Sequence, residues 1–413
     1  MDLLRFITAG SVDDGKSTLI GRLLYDSKNI LIDQLEALER STKNKANGEV
    51  DLALLTDGLR AEREQGITID VAYRYFTTPQ RKFIIADAPG HVQYTRNMIT
   101  GASNAELIII LIDARQGVVE QTRRHSIIAS LLRIPKVVVA INKMDLVNWS
   151  QNVYNNILIE YSRVAKQLGL ENVTFIPISA LQGDNIVDRS EKMDWYEGKP
   201  LLQHLEEVEL SEVTDAEAGR FQVQFVIRPQ TEELHDFRGY AGKIISGTYR
   251  KGDKVVVLPQ GIETVISKIE TGGVEVEEVF APQPAVLQLA DDIDISRGDM
   301  IVPYDKLPFI NNEAEVLLCW MDEKPLLPGN KYLLQHNSRL IRAVVKSVAY
   351  KIDVNTLDHL PVEGNVKLNE VVKATIKTAT PLVYDPYTTL KTNGSAILVD
   401  ETSNNTVAAV LLK

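Results

Sequence analysis

A glycine-rich segment near the start of the chain has the residue types and spacing of a phosphate-binding loop. It reads Gly10-Ser-Val-Asp-Asp-Gly-Lys-Ser17 and fits G-x-x-x-x-G-K-[ST], between an apolar run and a helix-like stretch. Glycines let the backbone wrap closely around phosphates, and amides at a helix start point toward them. Lys16 would reach the β- and γ-phosphates, and the Ser17 hydroxyl would coordinate Mg²⁺. The predicted nucleotide contacts are Gly10, Ser11, Val12, Asp13, Asp14, Gly15, Lys16, Ser17 and Thr18.

A second segment, Asp87-Ala-Pro-Gly-His91, follows directly after the apolar run Phe83–Ala86. A carboxylate at a strand end can hold a magnesium ion through water, and Gly90 can bring its amide up to a γ-phosphate. Alone, D-x-P-G is also a common turn, but its place after a phosphate loop favours a nucleotide site. The predicted contacts here are Asp87, Ala88, Pro89, Gly90 and His91.

A third segment, Asn142-Lys-Met-Asp145, has the residue types that select a guanine base. A carboxylate accepts two hydrogen bonds from the guanine N1–H and exocyclic amine, a pattern that adenine cannot present. Lys143 would pack along the base and Asn142 would brace the loops. Met144 lies between Lys143 and Asp145 in the same loop. Ser179-Ala-Leu181 follows another apolar run, and a backbone amide at Ala180 would complete the base pocket. The predicted contacts are Asn142, Lys143, Met144, Asp145, Ser179, Ala180 and Leu181.

The first half of the chain alternates short apolar runs with segments of helical spacing. The runs are Leu4–Ala9, Phe83–Ala86, Leu107–Ile112, Val137–Ile141 and Thr174–Ile178. This alternation predicts a mainly parallel sheet with helices on both faces. Such sheets bind ligands at the carboxyl ends of their strands, where each of the three segments falls.

The pattern changes near residue 210, where short alternating strands and turn residues take over. Closely spaced strands with glycine turns are typical of small β-barrels. A second break falls at Pro303–Asn312. We therefore predict a nucleotide domain at residues 1–210, followed by two all-β barrel domains at residues 211–305 and 306–413.

The composition limits the function classes. The net charge of the 413 residues is −11, which argues against broad binding to nucleic acid or anionic membranes. The single cysteine, Cys319, fits a reducing compartment and is expected to be a buried strand residue. No run is long enough to span a bilayer, and the first residues do not form a signal peptide. We expect a cytoplasmic protein without membrane or nucleic-acid partners.

The three segments in this order resemble translation-factor-type GTPases, a family with a P-loop α/β domain and two β-barrels. The segment Gly66-Ile-Thr-Ile69 looks like the first switch of that family. The resemblance implies that Thr68 binds Mg²⁺ and senses the γ-phosphate of GTP. It also implies that His91 positions the attacking water, with Lys16, Thr68 and Gly90 completing the catalytic set, and that Asp13 helps to order the site. The expected cofactors are GTP or GDP and Mg²⁺, with Ser17, Thr68 and Asp87 on the metal.

Several further segments resemble the large GTPase subunits of bacterial heterodimeric sulfate adenylyltransferases (ATP sulfurylases). They are the loop residue Asp14, where elongation factors usually carry His or Ser, and the segments Asp57–Asp70, Gln93–Met98 and Asp236–Gly242. This resemblance implies that GTP hydrolysis drives adenylylsulfate synthesis from ATP and sulfate. The synthesis would take place on a separate small catalytic ATP-sulfurylase subunit, in a heterodimer or higher assembly. Two alternatives stay open: an elongation factor that binds aminoacyl-tRNA, and a GTP-binding scaffold with negligible turnover.

Overall fold

A computed structural model describes residues 2–27, 71–89, 95–210, 218–229, 237–353, 356 and 358–413. The chain divides into two compact units, one within residues 2–210 and the other comprising residues 218–353 and 358–413. The predictions for Thr68, Gly90 and His91 lie outside the described residues.

The first unit is built on a six-stranded sheet in the order β2-β3-β1-β4-β5-β6. All neighbours are parallel except β2, which runs antiparallel to β3 at the sheet edge. All seven residues of β4 are buried, as expected for a strand with helices on both faces. The strands are β1 Leu3–Ala9, β2 Ala72–Thr77, β3 Lys82–Asp87, β4 Leu107–Asp113, β5 Lys136–Asn142 and β6 Val173–Pro177.

The helices of the first unit alternate with these strands along the chain or follow the last of them. In α4, Ile157, Tyr161, Val164 and Ala165 repeat at helical spacing and are buried, and the Ser150 hydroxyl caps the helix start. The described helices are α1 Lys16–Asp26, α2 Thr95–Ala102, α3 Glu120–Leu131, α4 Gln151–Gln167 and α5 Leu201–Glu207. Within the described ranges, no helix combines the length and the apolar character that crossing a membrane requires.

The second unit begins with a closed antiparallel barrel. Its strands follow the order β10-β15-β7-β8-β14-β11, and β10 also pairs with β11. A Cβ at Gly242 would lie 2.0 Å from the carbonyl oxygen of Gln222, so only glycine fits where β8 passes β7. The strands are β7 Arg220–Ile227, β8 Gly239–Ser246, β9 Thr248–Arg250, β10 Lys254–Leu258, β11 Ile262–Thr271, β12 Val274–Val276, β13 Glu278–Phe280, β14 Pro284–Leu289 and β15 Met300–Pro303.

A second antiparallel barrel completes this unit, in the order β17-β21-β22-β16-β20-β18 with β17 also paired to β18. Its core includes Trp320, Leu334, Val345 and Leu398. Cys319 is free and buried on β16, and burial raises the pKa of its thiol to about 12. The elements are β16 Phe309–Trp320, β17 Lys331–His336, β18 Arg339–Ile352, β19 His359–Leu360, β20 Val371–Tyr384, α6 Lys391–Gly394, β21 Ser395–Val399 and β22 Thr406–Leu412.

A buried ion pair joins the two barrels. The Arg220 guanidinium donates from Nε and Nη2 to the two carboxylate oxygens of Asp385, both at 2.8 Å. Asn393 donates to the same carboxylate at 2.7 Å, and Arg220 also donates to the carbonyl of Lys306 at 2.8 Å. Because the donors of Arg220 and the oxygens of Asp385 have partners, the barrels bury this charge pair without orphaned groups.

Candidate nucleotide site

The carboxyl ends of four neighbouring strands position the site. The glycine-rich loop follows β1, Asp87 ends β3, Asp113 ends β4 and Asn142 ends β5. The sheet register pairs Thr8 with Asp87 and Asp113 with Asn142, so these residues lie side by side at the carboxyl ends of the parallel strands. The sequence predicted this position for the glycine-rich loop, Asp87 and Asn142, but not for Asp113.

The glycine-rich loop is tightly packed against the loop after β5. Gly15 has φ +93°, and a Cβ there would lie 2.5 Å from Nδ2 of Asn142. Both facts require glycine at this position. The Asp14 carboxylate is turned into the loop, where its Oδ2 accepts the Ser11 amide at 2.5 Å. Burial raises the pKa of Asp14, which is only 3% exposed.

Lys16 lies at the start of α1 with its ammonium group held inside the loop. Its Nζ donates to the carbonyls of Gly10 at 3.0 Å and Ser11 at 2.8 Å. Burial lowers the pKa of Lys16, and the nearby carboxylates of Asp87 and Asp14 oppose that shift. Asp87 is itself buried and accepts the Thr8 hydroxyl at 3.1 Å. The loop therefore holds the Lys16 ammonium group against its own carbonyl oxygens and near the Asp87 carboxylate.

The predicted base-recognition residues also come together. Asn142 donates from Nδ2 to the carbonyl of Asp14 at 2.7 Å and accepts the Ala180 amide at 2.9 Å. Asp145 accepts the Ser179 hydroxyl at 2.7 Å. Asn142 thus braces the phosphate loop and the loop after β6 at once, the role that the sequence predicted for it.

The other predicted nucleotide contacts differ in how far they are buried. The Met144 side chain is fully buried, whereas Val12 and Leu181 are exposed. Ala88 and Pro89 are buried. Ser17 and Thr18 lie in the first turn of α1, half-buried. The loop residue Met144 is therefore a core residue rather than a nucleotide contact through its side chain.

Asp113 is a site residue that sequence reasoning missed. Its side chain is 1% exposed and forms ion pairs with Arg115 at 2.6 Å and with Lys143 at 2.9 Å. Burial alone would raise the pKa of Asp113, but hydrogen bonds from Arg115 and Lys143 outweigh it and lower the pKa to about 2. The signal available in the sequence was an aspartate that ends the most apolar strand.

Comparison with known proteins bears on this site. Residues 1–234 match the family model "Elongation factor Tu GTP binding domain", and residues 313–413 match "GTP-eEF1A C-terminal domain-like". "Sulfate adenylyltransferase subunit 1" of Bacteroides fragilis is 52% identical over 413 residues, which is 100% of this chain and 86% of that protein. The chain belongs to the sulfate adenylyltransferase subunit 1 family. The family resemblance predicted from the sequence is confirmed.

A second relative is longer than this chain, and a solved structure shares its fold. "Bifunctional enzyme CysN/CysC" of Mycobacterium tuberculosis is 53% identical over 408 residues. The matched region covers 98% of this chain but 66% of that longer relative. The Ski7 GTPase-like domain of S. cerevisiae, solved bound to GTP, covers 100% of this chain and 97% of its own at 17% identity, with a TM-score of 0.51. That likeness is one of fold, and it agrees with an α/β domain followed by two barrels.

His125 on α3 is a buried histidine whose pKa is affected by the positive charge of Lys16. Burial, with the positive charges of Lys16 and Arg124, lowers the pKa of His125 to about 3. The Gln121 amide nitrogen lies 3.0 Å from Nε2 of the ring. Because an amide nitrogen only donates, Nε2 accepts and the ring is neutral.

The neutral state of His125 predicts a loss of stability in acid. The unfolded chain takes up this proton near pH 6.5 and the folded one does not, so stability is full above pH 6.5 and falls below it. We expect wild type to lose about 1 kcal/mol more unfolding free energy than His125→Gln between pH 6.5 and 5.5, because one pKa unit corresponds to about 1.4 kcal/mol. Urea unfolding of both proteins at the two pH values measures this difference. Equal losses would contradict the assignment.

Proposed function

We propose that this chain binds and hydrolyses GTP and couples hydrolysis to the synthesis of adenylylsulfate from ATP and sulfate on a partner subunit. The observation that carries the proposal is the 52% identity, over the whole chain, to a protein named sulfate adenylyltransferase subunit 1. In this proposal, the phosphate loop, Asp87, and the loops after β5 and β6 would bind the nucleotide, and Thr68, Gly90 and His91 would complete the set that hydrolysis needs.

The phosphate end of the site would act by electrostatics. The Lys16 ammonium group donates to two loop carbonyls. When a nucleotide is bound, this group would donate to phosphate oxygens instead. The Ser17 hydroxyl and the Asp87 carboxylate are hard oxygen ligands of the kind that Mg²⁺ prefers, and we assign the ion to them together with Thr68. When bound, Mg²⁺ would neutralise charge between the β- and γ-phosphates. Gly90 and His91 would place the γ-phosphate and the attacking water.

The base end of the site supports guanine. Ser179 orients the Asp145 carboxylate through one oxygen, which leaves further lone pairs for the N1–H and amine of the base. Lys143 would cover one face of the base with its stem. Adenine offers no matching pair of donors, so GTP and GDP are the expected nucleotides.

Coupling would follow from the switch segments. The γ-phosphate and Mg²⁺ would order the segments around Thr68 and Gly90, and hydrolysis would release them. The two nucleotide states would then bind a small catalytic ATP-sulfurylase subunit with different free energies, as coupling requires. We place this heterodimer, or a higher assembly of it, in the cytoplasm. We propose residues 1–210 for the nucleotide domain and residues 211–305 and 306–413 for the barrels.

Turnover with the partner tests this function. The chain would be co-purified with its small ATP-sulfurylase subunit, and GTP hydrolysis would be measured with and without ATP plus sulfate, alongside adenylylsulfate formation. We expect ATP and sulfate to stimulate hydrolysis and GTP to raise adenylylsulfate yield. No stimulation of either reaction would overturn the coupling. Tight, salt-sensitive binding of the GTP form to aminoacyl-tRNA in a filter assay would instead support an elongation factor.

A further inference from the structure

The carboxylate of Asp113 lies where two loops of the nucleotide site meet. It ends β4 opposite Asn142 in the sheet register, and the next amide, that of Ala114, donates to the Asn142 carbonyl at 2.9 Å. Its side chain is 1% exposed. The backbone therefore fixes this carboxylate beside the base-recognition loop, and water cannot replace its partners readily.

Both oxygens of this carboxylate are engaged by cations. Oδ1 accepts the amide and the Nε of Arg115 at 2.9 and 3.0 Å. Oδ2 accepts Arg115 Nη2 at 2.6 Å and Lys143 Nζ at 2.9 Å. Arg115 is thus a neutralising partner at the surface side, while Lys143 lies on the side of the phosphate loop.

The Lys143 ammonium group bridges two elements. Besides Asp113, its Nζ donates to the carbonyl of Asp13 in the phosphate loop at 2.5 Å. A lysine ammonium is a point charge on a flexible stem, so a single carbonyl fixes it poorly. A buried carboxylate as the second acceptor restricts both the stem and the head. The contact to Asp13 thereby depends on Asp113.

We propose that Asp113 is a positioning residue that slows guanine-nucleotide release by holding Lys143 against the phosphate loop. The inference rests on the proposed binding of GTP and GDP. Asp113 itself does not touch the nucleotide in this assignment; it acts through Lys143. Loss of its negative charge would leave Lys143 and Arg115 as neighbouring cations without their shared acceptor, and the Lys143–Asp13 bridge would open.

Comparing the release rates of Asp113→Asn and Asp113→Glu shows whether the charge or the shape of Asp113 matters more. Asparagine has the shape of aspartate without its charge, whereas glutamate keeps the charge and changes the length. We expect Asp113→Asn to release a fluorescent GDP analogue on the order of tenfold faster than wild type, as loss of a charge-assisted hydrogen bond predicts. Asp113→Glu should show a smaller acceleration. The reverse order would overturn the proposal, because a purely structural role tolerates asparagine better.

A double-mutant cycle tests whether Asp113 acts through Lys143. On a Lys143→Met background, adding Asp113→Asn should change release less than twofold, since contacting residues are non-additive. A full tenfold effect on that background would contradict the mechanism. This cycle also decides the case in which Asp113→Asn lowers thermal stability, because a stability effect persists without Lys143.

Asp2→Asn is the matched control. Asp2 also accepts two hydrogen bonds from one arginine, Arg81, at 2.8 and 2.7 Å, but it precedes β1 and so lies at the end of that strand remote from the site. The Asp2→Asn variant should release the GDP analogue at the wild-type rate. If it releases the analogue as fast as Asp113→Asn does, that result would count against a local role for Asp113. If wild type fails to bind the GDP analogue, the proposed function fails. If wild type binds it and Asp113→Asn releases it at the same rate, only the present inference fails.

Discussion

Replacing Asp145 with asparagine is expected to shift the nucleotide preference from GTP toward XTP. Guanine offers two donors to the carboxylate, whereas an asparagine amide would place its own donors against the N1–H or the exocyclic amine of the base. Xanthine carries a carbonyl where guanine carries that amine, so it can accept from the amide. A buried polar group left unpaired makes such discrimination steep, and we expect GTP affinity to fall by ~10⁴-fold. Competition binding with GTP, GDP, XTP and XDP measures it.

Ser179→Ala is the control for this experiment. It removes the 2.7 Å hydrogen bond that orients Asp145 but leaves the charge and both acceptor oxygens in place. A loss of about tenfold, without gain of XTP binding, is the expected result for one hydrogen bond to a charged group. If Asp145→Asn binds GTP as wild type does, the guanine assignment is wrong.

The fold followed closely from the sequence where strands are buried on both faces. The apolar run Leu107–Ile112 lies in β4, and the runs before Asp87 and Asn142 lie in β3 and β5. Strand β2 was missed because an edge strand needs no continuous apolar run. Its Tyr73 and Tyr75 are 46% and 69% exposed, so no hydrophobic pattern marks it.

The site was predictable where a motif carries its own backbone geometry. The loop around Lys16 and the brace at Asn142 follow from local spacing, since glycines and strand ends fix them. The contact between Asp113 and Lys143 joins residues 30 positions apart, and their distance depends on the pairing of β4 with β5. Neither residue type nor spacing announces such a contact. The burial of Met144 could not be predicted either, because the motif sets the position of this residue in the loop, whereas tertiary packing sets the direction of its side chain.

The prediction for His91 depends on the sequence alone, because this residue lies outside the described residues. The family resemblance implies that its imidazole orients the attacking water beside Gly90. Orientation contributes in the transition state and little in the ground state, so it affects turnover more than binding. We expect His91→Ala to lower GTP hydrolysis by ~10²-fold or more while GTP affinity stays near that of wild type, as for other groups that act in the transition state. Single-turnover hydrolysis and equilibrium binding of a fluorescent GTP analogue measure the two quantities separately.

The comparison of His91 with another histidine of the same unit makes this result specific. His204 on α5 is half-buried, and burial lowers its pKa below the usual value. His204→Gln should hydrolyse GTP at the wild-type rate, because that histidine has no part in the site. If His91→Ala also turns over at the wild-type rate, His91 leaves the mechanism. If it loses GTP affinity in proportion to turnover, it contributes uniform binding and not water positioning, and the catalytic assignment would pass to the backbone of Gly90 and to Thr68.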